Sequence, residues 1–140
     1  MKQTVMLRLQ GKQFYDGQDP EVIELVTEGT MERLDSGWEI RYEESDMTGM
    51  AGVTTIFRVE PEQVVLTRKG RLESQMVFRL GVLHESLYQM EFGALMLTVQ
   101  AQHLFFDILP EGGVIDLIYS ISIENTEAGE IDYHLDIRAK

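Results

Sequence analysis

Apolar and polar residues alternate one for one along most of this chain, and that period admits one kind of element. Successive side chains of a β-strand point to opposite faces, so a period of two marks a strand with one face buried and one wet. The pattern is cleanest toward the end. Ile115, Leu117, Tyr119, Ile121 and Ile123 oppose Asp116, Ile118, Ser120 and Ser122. Past Glu127-Ala128-Gly129, Ile131, Tyr133, Leu135 and Ile137 oppose Asp132, His134, Asp136 and Arg138.

The same rhythm runs through the earlier sequence. Val5, Leu7 and Leu9 form one row, and Ile23, Leu25, Thr27, Gly29 and Met31 another. Asp35-Ser36-Gly37 then supplies turn residues that tolerate positive φ, and Trp38, Ile40 and Tyr42 resume the alternation, which predicts a hairpin. Val53, Thr55, Phe57 and Val59 make the next inward row, stopped by Pro61, which cannot donate to a central ladder. Val64, Leu66 and Arg68 follow, and Gly70 turns the chain into residues 72–80, where Met76, Phe78 and Leu80 share a face. Two further runs, 87–92 and 94–108, flank Gly93. Helix competes only at residues 19–25 and 81–86; the first continues a strand pattern and is read as strand, while His84-Glu85 in the second falls in a connection.

At 140 residues the chain is read as one domain, 1–140, long enough to bury a core. About ten strands joined by short turns leave a closed barrel or a sandwich. The long runs at 21–35 and 113–126 can bend and pair with different neighbours at their two ends, and closure removes exposed edges. The expected fold is therefore all-β, a single antiparallel barrel of about 8–10 strands.

Composition narrows the chemistry. With no cysteine, the chain has no disulfide, thiolate metal site or cysteine nucleophile. A net charge of −12 repels nucleic-acid backbones and anionic headgroups, so neither nucleic acid nor membrane is an expected partner. The opening residues Met1 to Gln10 alternate rather than form the continuous apolar stretch of a signal peptide, and no window reaches the length of a membrane span. The expected location is cytoplasmic.

Several stretches together resemble the YwiB-like proteins of Firmicutes. They are Tyr42-Glu43-Glu44 running into a Gly-containing loop and Thr54-Thr55-Ile56, residues 64–70 with Arg68-x-Gly70, and Tyr88-x-Met90-x-Phe92-Gly93-x-Leu95 before a long strand. Glu21-Val22-Ile23-Glu24 opening a long strand, and the acidic tail of the penultimate hairpin, fit as well. The likeness extends from about Val5 to the end. It implies a calycin-like barrel, similar in form to lipocalins and fatty-acid-binding proteins. That family is classed as of unknown function, so it lends no catalytic or binding residue.

Among candidate functional residues, His84, His103 and His134 lack the close spacing of metal ligands. Asp132, His134 and Asp136 share one outward face, where a solvated polar surface is the ordinary outcome. No serine stands in a nucleophile turn and no glycine-rich loop precedes a Lys-Ser/Thr pair, so no catalytic residue, metal or cofactor is predicted. The informative set is polar and inward. Tyr42, Arg68, Tyr88 and Tyr119 fall on apolar rows, with Tyr133 beside them. A buried arginine must be paired or must hold an anion. Flanked by tyrosine hydroxyls in an apolar barrel, it is equipped to grip the carboxylate of a partly apolar ligand, and the bland alternative is a salt bridge closing the rim. Residues 47–52, with Met47 and Met50, read either as a portal or as a loop packed on the core, and Trp38 reads as a plug for the barrel base.

Three functions follow in order of preference. The first is a small-molecule-binding barrel whose ligand is oriented by Tyr42, Arg68, Tyr88 and Tyr119. The second is a scaffold with a filled barrel and an acidic surface for an unidentified protein partner. The third is a hydrolase or isomerase using His84.

Overall fold

The computed structural model describes residues 2–14, 19–45, 50–91 and 93–140, without the side chains of Glu127 and Ala128. Met47, Thr48 and Gly49 of the candidate portal and Phe92 of the Tyr88–Leu95 stretch lie outside the described residues. Ten strands are present: β1 (Lys2–Phe14), β2 (Glu21–Leu34), β3 (Gly37–Glu43), β4 (Val53–Glu60), β5 (Gln63–Gly70), β6 (Ser74–Phe78), β7 (Leu83–Met90), β8 (Gly93–Leu109), β9 (Gly112–Ile123) and β10 (Thr126–Ala139). Among the described residues there is no helix.

All ten belong to one antiparallel sheet ordered β6-β5-β4-β3-β2-β1-β10-β9-β8-β7. Strands consecutive in the chain are neighbours except β6 and β7, which stand at the two edges, and β1 joins β10 to bring the ends of the chain together. The sheet curls into a nearly closed barrel whose remaining joint lies between β6 and β7. A pair of backbone hydrogen bonds links Glu73 and Gln89 there, each 2.8 Å. Farther along, the Val77 amide donates to His84 Nδ1 at 3.3 Å, and Gly81 N–H to the Ala101 carbonyl at 3.0 Å.

The alternation sorts inside from outside as the sequence predicts. Val5, Leu7, Met31, Ile40, Phe57, Val64, Phe78, Ile115, Leu117 and Leu135 are fully buried and form one cluster. Each such side chain contributes roughly 1.5–3 kcal/mol by leaving water, so this row sum outweighs any single polar contact on the outer face. Trp38 packs half-buried on the same cluster, with the Arg33 guanidinium 5.3 Å from its ring.

Two local readings are corrected. Leu80, expected inside with Met76 and Phe78, is 60% exposed because β6 ends at Phe78 and the chain leaves the barrel wall. His84, expected in a connection, lies within β7, where Leu83 and its successors pair with Gln100 and the residues before it on β8. Leu80, Val82, Leu83 and Leu87 form an exposed apolar edge beside the open joint.

Candidate functional site

Five strands and one loop bring polar residues to the barrel interior. Tyr42 sits near the end of β3, directly across from Gly29 on β2. That glycine lets the two backbones close up: a Cβ there would lie 2.4 Å from the Arg41 carbonyl oxygen and 3.2 Å from the Tyr42 Cβ. Glu44 follows two residues later, keeps the inward phase past the strand end and is buried. Arg68 lies on β5 in the same inward row as Val64 and Leu66, opposite Thr55 on one side and Ser74 on the other. Tyr119 and Tyr133 are buried on β9 and β10, and Tyr88 is half-buried on β7.

These side chains share one cavity of about 270 Å³, completed by apolar residues that include Leu9, Ile23, Leu97, Ile121 and Ile131. Tyr42, Arg68, Tyr88 and Tyr119, selected from phase alone, all line it. Fully buried Phe57 and Phe78 back two of the tyrosines, with ring centroids 5.6 Å from Tyr133 and 4.5 Å from Tyr119, both pairs tilted at 45°. Such contacts fix ring orientation and so the direction of each hydroxyl.

The polar groups are connected. The Tyr42 and Tyr133 hydroxyls lie 3.0 Å apart in a hydrogen bond, and the Thr55 hydroxyl donates to the Glu44 carboxylate. Burial, and next the negative charge of Glu44, pushes the Tyr42 phenol well above its ordinary range. Burial does the same to Tyr133, reinforced by Tyr42. Both phenols therefore stay neutral and keep a proton to donate. At Arg68 burial opposes the charge but is outweighed by the groups around it, of which Glu44 is the one ionised at neutral pH, and the guanidinium is held cationic.

One atom stands out within this set. Arg68 Nε is shut off from solvent and has no hydrogen-bond partner, although the residue as a whole keeps partial exposure. Ser74 Oγ, across the β5–β6 ladder, and Ser86 Oγ on β7 share that condition. Buried donors left without acceptors cost roughly 1–3 kcal/mol each, and these three flank one joint. Arg68 also lines a second, outer groove of about 240 Å³ with Lys69, Ser74, Gln75 and Leu87. It thus forms part of the wall between the interior and the β6–β7 joint.

Phase alone missed Glu44, Gly11 and Met50, which also line the cavity. The spacing of Glu44 from Tyr42 carried the signal for the first. Gly11 is found only from register, since it pairs with Tyr133 across β1 and β10. The other candidates are occupied elsewhere. His134 pairs with Asp116 across the β9–β10 ladder rather than with Asp132 and Asp136, and among the described residues no group of three could hold a metal ion. His84 Nδ1 serves as an acceptor in the β6–β7 joint.

Comparison with known proteins gives a consistent picture. A family model described as Domain of unknown function (DUF1934) matches residues 7–137. The chain is similar to the ywiB protein from Bacillus subtilis in its crystal structure, with a TM-score of 0.89 and 22% identity over 99% of this chain and 93% of that one. At that identity the likeness concerns the fold. No curated protein matches.

Proposed function

The chain belongs to the family described as Domain of unknown function (DUF1934), whose description names no activity, and from that premise we propose that it is a small-molecule-binding barrel. Its ligand is a small, partly apolar molecule with an anionic group, held in the manner of calycin-like binding proteins. The observation that carries this reading is the cationic Arg68 in the wall of an apolar cavity that it shares with Tyr42, Tyr88 and Tyr119. An oxyanion beside the Arg68 guanidinium gains a charge-assisted hydrogen bond, and Tyr119 and Tyr88 line the same space. The volume of about 270 Å³ lies just below the usual range for drug-sized ligands, which favours a compact body over a long acyl chain. A cavity of this size speaks against the filled scaffold, and the role of His84 in the barrel wall speaks against catalysis by that residue.

Native mass spectrometry of the purified protein tests the reading by the mass it carries, and the fluorescent apolar anion 1-anilinonaphthalene-8-sulfonate tests it in solution. Arg68→Met is expected to weaken binding by about 30-fold or more, the loss that follows from removing one partner of a buried charged contact. Gly11→Leu is expected to abolish binding while the barrel stays folded. A Cβ at Gly11 meets only the Tyr133 ring, at 4.0 Å, so a larger side chain there extends into the cavity. Binding that survives Gly11→Leu unchanged places the probe outside the barrel and ends the proposal.

A further inference from the structure

We propose that the outer wall of the barrel carries a second binding site, separate from the interior, for a compact dianionic oxyanion: a phosphate group, free or on a small organic body.

The site is a groove of about 300 Å³ on the solvent face of β3, β4 and β5, and its floor is apolar. Ile56 and Val65 fall on the outward phase of β4 and β5, where polar residues are the rule. They are nonetheless only 7% and 8% exposed, and they stand outside the core cluster. The long side chains beside them are cationic. Arg41 lies across from Ile56 on β3, and Arg58 across from Val65 on β4. Lys69 follows Thr67, the β5 partner of Ile56, by two residues and so shares its face. Such stems lie over apolar neighbours while the charged heads stay in water.

The charges in this groove do not balance. Arg41, Arg58 and Lys69 share it with one carboxylate, that of Glu39. Glu39 reaches Arg41 only at 4.0 Å. Arg58 lies directly across the ladder from Glu39, yet among the described residues neither Arg58 nor Lys69 has an ion pair. Two positive charges are left over. On a chain of net charge −12, that surplus marks a place where an anion is attracted rather than repelled.

Charge and surroundings together select the ligand class. Two uncompensated cations match a dianion, and a monoanion leaves one of them unserved. The guanidinium forks of Arg41 and Arg58 suit phosphate oxygens, Lys69 adds a point charge, and Thr67 and Gln75 are neutral donors in the same groove. An extended polyanion fares worse, because the wall turns acidic beyond the groove. There the Thr54 hydroxyl donates to Glu43, and Glu62 pairs with Arg79. The ligand is therefore compact.

Calorimetric titration of the intact protein at low ionic strength compares phenyl phosphate, inorganic phosphate, the monoanion phenyl sulfate and a phosphoserine peptide. A pH of about 8 keeps phosphate esters, with a second pKa of about 6, dianionic. The tighter of the two small phosphates is expected to bind about tenfold or more tighter than the sulfate ester, the worth of one charge-assisted contact. A lead for phenyl phosphate assigns an ester, and parity or a lead for inorganic phosphate assigns the free ion; both bear the proposal out. Arg58→Gln is expected to weaken phosphate about tenfold. Glu39→Gln is expected to strengthen it, a gain that loss of folding cannot mimic. Methyl resonances of Ile56 and Val65 should shift on titration while those of Leu97 and Ile121, in the interior, stay in place. Equal binding of phenyl sulfate, shifts confined to the interior methyls, or an affinity untouched by both substitutions overturns the site, as does the absence of binding. A phosphoserine peptide that binds tighter than both small phosphates overturns the compact ligand in favour of a protein partner.

Discussion

The two joints that close this barrel contrast sharply. β1 and β10 come from opposite ends of the chain, yet they pair without a break from Val5 with Ala139 to Phe14 with Glu130. β6 and β7 are consecutive, separated only by residues 79–82, yet among the described residues the joint holds one backbone bridge, Glu73 just before β6 with Gln89, and then a histidine ring. Loop-closure entropy favours the opposite outcome, because the short connection makes pairing cheap and the distant one makes it costly. The gap is therefore written into the side chains. At the distant joint Leu7 and Leu9 face Ile137 and Leu135 across a continuous apolar seam. Around the local joint stand Ser74, Ser86, His84 and Arg68, polar groups that the barrel gathers without satisfying most of them.

The largest test of the contrast is Leu135→Ala on the complete joint. Leu135 is fully buried, so the substitution is expected to cost about 2–5 kcal/mol in urea-unfolding free energy. A cost under about 1 kcal/mol would mean that this joint is less well packed than its ladder suggests.

A second test follows the buried phenols. Their folded-state pKa values are raised, so the stability they contribute is complete below pH of about 10, the value for free tyrosine, and is lost as pH climbs above it toward the folded values. Tyrosinate absorbance is expected to show Tyr42 and Tyr133 ionising only together with alkaline unfolding. Tyr42→Phe with Tyr133→Phe should remove that late phase. Ordinary titration of every tyrosine in the folded protein would place these hydroxyls in water.

The smallest effect belongs to the incomplete joint. His84→Ala removes one acceptor from the Val77 amide and is expected to cost about 1 kcal/mol or less, with hydrogen exchange at Val77 accelerating while β1 and β10 stay protected. Equal losses from His84→Ala and Leu135→Ala would erase the distinction between the joints.

Much of this architecture was legible because a barrel wall has only two sides. The alternation through β9 and β10 separates Tyr119 and Tyr133 from Ser120 and Asp132, and the same rule points Tyr42 and Arg68 inward. Phase gives depth but not height along the barrel. That Arg68 meets Tyr119 and Glu44 in one cavity depends on the register of several ladders, which no local pattern encodes. Leu80 misled for a related reason. Its apolar side chain extends the Met76–Phe78 row in sequence, but the strand stops before it. His84 hides its strand in the sequence because Leu80, Val82 and Leu83 around Gly81 break the alternation.

The brevity of residues 79–82 has a kinetic consequence. A barrel that parts between β6 and β7 keeps every long ladder intact, so such gaping needs far less free energy than unfolding and leaves its two lips tethered by a four-residue leash. Closing so short a span is a sub-microsecond event for a free chain, which sets a fast clock for resealing.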